Sequence, residues 1–180
     1  GAQIIFSDIQ NDNANLDLEK ARHLLETRPE IKVIIPVHFA GHPVDIEGFS
    51  ELAKEFGVTI IEDACHALGA KYQSSEGKKY KVGSCRHSSM TMFSFHPIKS
   101  ITTGEGGAIT TNDINLYKKL LRLRSHGLTR GQDLIQNKEL GLSEVDGKQV
   151  VNPWYYEMQD LSPNYRLTDF QCALGRSQLL

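Results

Sequence analysis

Three continuous apolar runs punctuate the first third of the chain: "QIIFSDI" (3–9), "IKVIIPVHF" (31–39) and "VTIIEDA" (58–64). Each is rich in Ile or Val and too short for a buried helix, so each predicts a strand. Between them the period changes. "LDLEKARHLLET" (16–27) places Leu18, Ala21, Leu24 and Leu25 on one helical stripe, and Pro29 stops it. "DIEGFSELAKEFG" (45–57) predicts a second helix, with Asp45 placed to cap its start and Gly57 to close its end. Continuous apolar strands alternating with amphipathic helices imply an α/β fold, a mainly parallel sheet flanked by helices on both faces.

The pattern then loosens. "KYQSSEGKKYKVGSCRHSS" (71–89) is polar and reads as loop with a short hairpin. "MTMFSF" (90–95) and "GAITTND" (107–113) predict two more strands. "DINLYKKLLRLRSHG" (113–127) predicts a helix capped by Asn112 or Asp113 and closed by Gly127. Residues 128–163 have few apolar repeats and read as a long surface excursion. "TDFQCALGRSQLL" (168–180) is a final helix that meets no stop signal, and no initiator Met opens the chain. Both features predict a fragment of something larger.

Composition narrows the function classes. Lys and Arg number 20 against 22 Asp and Glu, which gives no general electrostatic reason to bind nucleic acid or an acidic membrane. No apolar run reaches the ~18 residues of a membrane span, and no signal-peptide pattern opens the chain. Cys65, Cys85 and Cys172 have no framework spacing, which predicts a reduced, cytoplasmic compartment. Cys65-His66 and Cys85-Arg86-His87 lack the paired-cysteine spacing of zinc sites, so no metal is assigned.

In an open parallel sheet, ligands bind beyond the carboxyl ends of the strands. Asp63 ends one predicted strand there; Ser94 and His96 end another, and Lys99 follows among Phe93, Phe95, Ile98 and Ile101. A carboxylate and an amine at one sheet edge suit pyridoxal phosphate. Its aldehyde bonds a lysine amine, and a carboxylate keeps its ring nitrogen protonated. Taken singly, these residues also allow plainer readings. Asp63 reads as a helix cap, His66 as a hydrogen-bonded core histidine, Ser94 as a structural strand residue and Asn164 as a turn former. "GEGG" (104–107) lacks the spacing and ending of a phosphate loop and reads as a tight turn. The basic stretch 118–130 reads as an amphipathic helix with a solvated face.

"IIEDACHALGAKY", "FSFHPIKSITTGEGGAITTND" and "SPNYRLTDFQCALGRSQL", in that order, resemble the DegT/StrS family of pyridoxal-phosphate-dependent sugar-nucleotide aminotransferases. "EDACHA" and "HPIKSITTGEGGA" most resemble the PseC branch of that family. The resemblance implies most of a fold type I (aspartate aminotransferase-like) large domain across residues 1–180, with an upstream phosphate-binding segment and a C-terminal small domain missing. It implies Lys99 as the Schiff-base lysine and proton shuttle, and Asp63 as partner of the ring nitrogen. His66 would lie beside the ring, where the family often has Gln, and Ser94 would bind the phosphate. Asn164 would reach the cofactor phosphate of a neighbouring subunit, so that a homodimer shares its active sites. The implied reaction aminates a 4-keto-6-deoxy sugar nucleotide with glutamate as donor. Dehydratases of the family replace the lysine by histidine, which Lys99 argues against. A non-catalytic relative is opposed by the full Asp63, Ser94 and Lys99 set. A plain NAD(P)-binding sheet is opposed by the absence of a Gly-rich turn after the first predicted strand.

Overall fold

The computed structural model describes residues 1–179. In chain order the elements are α1 (Leu18–Thr27), β1 (Val33–Ile34), α2 (Ile46–Phe56), β2 (Thr59–Asp63), β3 (Lys71–Gln73), β4 (Lys79–Lys81), β5 (Met90–Ser94) and β6 (Gly107–Thr110). They continue as α3 (Ile114–Arg124), β7 (Leu128–Thr129), α4 (Lys138–Gly141), β8 (Leu142–Val145), β9 (Lys148–Val151), β10 (Glu157–Met158) and α5 (Asp169–Ser177). The chain forms two compact units, one of residues 1–113 with the segment from Thr168 onward, the other Ile114–Leu167.

The first unit is built on a four-stranded sheet in the order β1-β2-β5-β6. β1 and β5 both run parallel to β2, and β6 closes the edge antiparallel to β5. Side-chain caps start both helices, that of α2 at the position the sequence marks. Asp17 and Asp45 accept the Lys20 and Gly48 N–H groups, and Gly57 ends α2 in the left-handed region at φ 66°. Their apolar stripes, Ala21, Leu25, Phe49, Leu52 and Ala53, close over Ile34 and Ile60 to make the main core. A smaller core gathers Ala64, Ala67, Val82 and Phe93. β3 and β4 form the short hairpin expected within 71–89.

Two expected strands are shorter or absent. Among the described residues, 3–9 pair with no strand; Ile9 meets Leu16 in an isolated bridge, and Phe6 stays 88% exposed. An apolar run becomes a strand only where a neighbour supplies its ladder, and none does here. In 31–39 the regular ladder stops at Ile34, because Pro36 has no N–H to donate. Its carbonyl still accepts the Asp63 N–H, 2.9 Å, and Val37 bridges Asp63.

The second unit corrects the expectation of an unstructured excursion. β8 and β9 form an antiparallel hairpin turned by Asp146 (φ 51°) and Gly147 (φ 72°), the positive-φ pair that a two-residue hairpin turn requires. β7 pairs antiparallel with β10, and Arg122 on α3 pairs with Asp160 at 2.9 Å. Glu157 accepts the Gln136 and Asn137 N–H groups, each at 2.8 Å. These donors hold its carboxyl down to about 2. α5 begins in a capping box between Thr168 and Gln171; Leu180, the last residue of the expected helix, lies outside the described residues.

Candidate active site

Asp63 is the last residue of β2, and its pairing with Met92 sets it beside the end of β5, which carries Ser94 two residues on. The strand ends are parallel, so both residues meet at one carboxyl edge. Asp63 is half-buried; its Oδ1 accepts the Cys65 N–H at 3.0 Å. This is a local Asx turn, and no helix begins there, so the plain capping reading does not describe it.

Lys99 lies in the turn after β5, its N–H donating to His96 O at 2.9 Å. The side chain is half-buried, and its Nζ has no hydrogen-bond or ion-pair partner among the described residues. Cys65 registers both groups. Burial pushes its thiol up to about 11, the Asp63 carboxylate reinforces this by hydrogen bond and charge, and the Lys99 ammonium opposes it. With its pKa raised, Cys65 stays a thiol.

Ser94 Oγ accepts the His96 N–H at 3.3 Å, which leaves its own proton to donate. His66 is exposed, so the core reading does not apply to it. Its ring meets Phe39 edge-on, with centroids 6.1 Å apart. Gly41, at φ +83°, brings the loop after β1 so close that a Cβ there would lie 3.0 Å from His66 O. Asn164 belongs to the second unit and is exposed. Its Oδ1 accepts the Arg166 N–H and Nε–H, both at 3.1 Å, the local turn chemistry anticipated for it; its Nδ2 has no partner among the described residues.

Behind Asp63 lies a buried polar network that the sequence reading missed. Glu62, 2% exposed, accepts from His38 Nε2 at 2.8 Å, from Thr91 Oγ1 at 2.8 Å and from Ser88 Oγ. His38, fully buried, receives the Val44 N–H on Nδ1 at 3.1 Å, so that nitrogen carries no proton and Nε2–H is the donor. Burial works to raise the Glu62 pKa, but the hydrogen bonds from His38, Ser88 and Thr91 outweigh it and hold the pKa below the usual range. The His38 N–H also donates to Asp63 O at 3.0 Å, so the network fixes the backbone of the carboxylate-bearing strand end. A signal for Glu62 was present: it alternates with Ile60, placing it on the core face of its strand.

The donor set suits pyridoxal phosphate: an amine without a partner among the described residues, a carboxylate at the sheet edge and a hydroxyl with a proton to give. A cleft of about 680 Å³ opens at the opposite, amino ends of β2 and β5, lined by Lys54, Gly57, Arg86 and His87 among others. It brings together no carboxylate and amine, and we do not assign the chemistry to it. Among the described residues no three His, Cys, Asp or Glu side chains gather as a metal ion would need.

The chain is similar to known proteins in sequence and in fold. A UDP-4-amino-4,6-dideoxy-N-acetyl-β-L-altrosamine transaminase of Campylobacter jejuni is 40% identical over 180 residues, covering 99% of this chain and 40% of its own length. The structure of Helicobacter pylori PseC, an aminotransferase involved in the biosynthesis of pseudoaminic acid, superposes with a TM-score of 0.76 at 32% identity, over 97% of this chain and 39% of that one. A candidate sugar aminotransferase of Streptococcus pneumoniae in its PLP form gives a TM-score of 0.74 at 27% identity, over 99% of this chain and 43% of that one. The chain thus spans about 40% of the length of the curated relatives it matches. The model of the DegT/DnrJ/EryC1/StrS aminotransferase family matches residues 1–180, and the chain belongs to that family.

Proposed function

We propose that the protein carrying this chain is a pyridoxal-phosphate-dependent aminotransferase. Its substrate would be a nucleotide-linked 4-keto-6-deoxy sugar and its amino donor glutamate, in the synthesis of amino sugars for cell-surface glycans. The observation that carries this reading is that Asp63, at the carboxyl end of β2, and Ser94, at the carboxyl end of the neighbouring parallel β5 from which the chain turns to the unpaired Lys99, share one sheet edge. The names of the relatives support the sugar-nucleotide substrate, and the PLP form of the pneumococcal protein supports the cofactor.

The cofactor, when bound, supplies a cationic ring that takes up the electron pair left by deprotonation at the α-carbon of the donor. Lys99 Nζ would hold the cofactor through its aldehyde. Once free, the same nitrogen takes the α-proton from the donor and later returns a proton to the sugar carbon that gains the amine. Asp63 would keep the ring nitrogen protonated, the Ser94 hydroxyl would donate to the phosphate, and the His66 ring would help hold the cofactor.

Asn164 is proposed to donate through its unpartnered Nδ2 to the phosphate of a neighbouring subunit, so the working form is a homodimer with shared sites. The three free cysteines suit a reduced, cytoplasmic setting. No helix among the described residues is long and apolar enough to cross a membrane. The family's dehydratase chemistry is disfavoured because Lys99 is present.

Asp63→Asn in the full-length protein tests the assignment. The variant should still attach the cofactor to Lys99, since the amine is untouched. Turnover should fall about 100-fold or more, because the ring loses the charge that holds its proton. Wild-type turnover in this variant would remove Asp63 from its role.

A further inference from the structure

Lys99 stands near the tip of a loop that starts and ends on one residue of the strand edge. Phe95 N–H donates to Gly106 O at 2.9 Å, and Phe95 O accepts the Thr103 N–H at 2.9 Å and Thr102 Oγ1–H at 3.1 Å. These bonds tie the stem to the sheet. They leave the outward-facing N–H and C=O of Thr102 to find partners elsewhere, while Glu105 O takes one bond inside the loop, from Thr103 Oγ1–H at 2.8 Å, and has room for a second.

One face of α5 and its C-terminal cap supplies those partners. The Gln178 side-chain amide pairs with both backbone groups of Thr102: Oε1 accepts its N–H at 3.0 Å and Nε2 donates to its C=O at 2.7 Å. The amide imitates a neighbouring strand. Gln171 Nε2 donates to Glu105 O at 2.8 Å while its Oε1 closes the capping box with Thr168. Between them Gly175 is buried, and a Cβ added there would lie 2.8 Å from Thr103 Cγ2. Positions 171, 175 and 178 share one helical face, and all three meet the four residues 102–105.

We propose that α5 is a three-point clip that sets the position of the Lys99 loop, with Gln178 as its principal positioning residue. The inference rests on the reading of Lys99 given above. Gln178 touches neither substrate nor cofactor in this account. It acts by holding Thr102, three residues from the amine, in register with the sheet edge. The clip contributes little to global stability, because its bonds lie in partly solvated positions. Its effect is on geometry, and a displacement of about 1 Å at a reacting group costs about 100-fold in rate.

The test uses Gln178→Met in the full-length protein, which keeps the side-chain length and removes the amide. In the cofactor-free protein, hydrogen exchange at the Thr102 amide should accelerate about tenfold, with β2 and β5 amides unchanged. Covalent capture of pyridoxal phosphate by Lys99, trapped with borohydride, should slow by about 10- to 100-fold. Binding of pyridoxamine phosphate, which has the ring and phosphate but no aldehyde to bond, should stay within about twofold, as expected when only the amine is misplaced. Should Gln178→Met fail to fold, Gln171→Met removes one bond to the loop together with the α5 capping box, and is read by the same capture rate beside the same pyridoxamine phosphate control.

Unchanged exchange at Thr102 would overturn the clip. So would an equal loss of capture rate and pyridoxamine phosphate affinity, which marks general damage to the site. If the wild-type protein itself never captures the aldehyde on Lys99, the reading of Lys99 fails instead, and the exchange data alone decide whether the clip exists.

Discussion

Lys99→Ala in the full-length protein should abolish covalent capture of pyridoxal phosphate and reduce sugar-nucleotide amination by about 10,000-fold. Two functions would be lost together. In the proposed reaction the amine would hold the cofactor aldehyde and would also carry the proton that must leave one carbon and reach another. No second amine is positioned to replace it in the first unit's site: Asp63, Ser94 and His66 offer a carboxylate, a hydroxyl and an exposed imidazole. The fold should survive, because the Lys99 Nζ makes no bond that the rest of the chain depends on. The check is turnover with glutamate and a 4-keto sugar nucleotide, alongside a thermal melt of the variant. Activity within tenfold of wild type would show that another group does this work.

The second large effect concerns stability. His38→Ala should destabilise the protein by about 3–5 kcal/mol, measured by urea unfolding of the full-length protein, because it strands Glu62 in the core with one of its three donors gone. Glu62 is 2% exposed, so water cannot replace the lost partner without opening the sheet. The pH dependence has a definite sign. The folded-state pKa of Glu62 is lowered, so the stability it contributes is fully present above its unfolded value and is lost as pH falls through the folded one. In His38→Ala that acid-side loss should flatten, because the donor that helps depress the pKa is absent. A cost below about 1 kcal/mol would mean the network is relaxed or hydrated, in contrast to the cost of a broken buried pair.

What the sequence made legible follows from how local each signal is. Asp45 and Gly57 bracket α2 at the places their chemistry marks, because capping is settled within a few residues. Asp63 and Ser94 were readable because apolar strands end on them, and in a parallel sheet strand ends share an edge. The missing strand at 3–9 and the shortened one at 31–39 failed for a non-local reason: a ladder needs a neighbour with free N–H and C=O groups, and Pro36 removes one. The β8–β9 hairpin did carry a local signal, Asp146-Gly147, but its strands are only four residues each, largely exposed and without apolar–polar alternation, so hydrophobic periodicity did not reveal them. His38 and Glu62 are 24 residues apart, and Gln178 and Thr102 are 76 apart. Pairings of that span are created by the tertiary fold, and spacing along the chain does not announce them.

The most direct measurement is borohydride reduction of the full-length protein loaded with pyridoxal phosphate, followed by proteolysis and mass mapping of the fixed cofactor. The account predicts one cofactor per chain, on the peptide that contains Lys99, in wild type and Asp63→Asn alike. An enzyme that turns over its sugar nucleotide while the cofactor is fixed on another lysine, or on none, would contradict it.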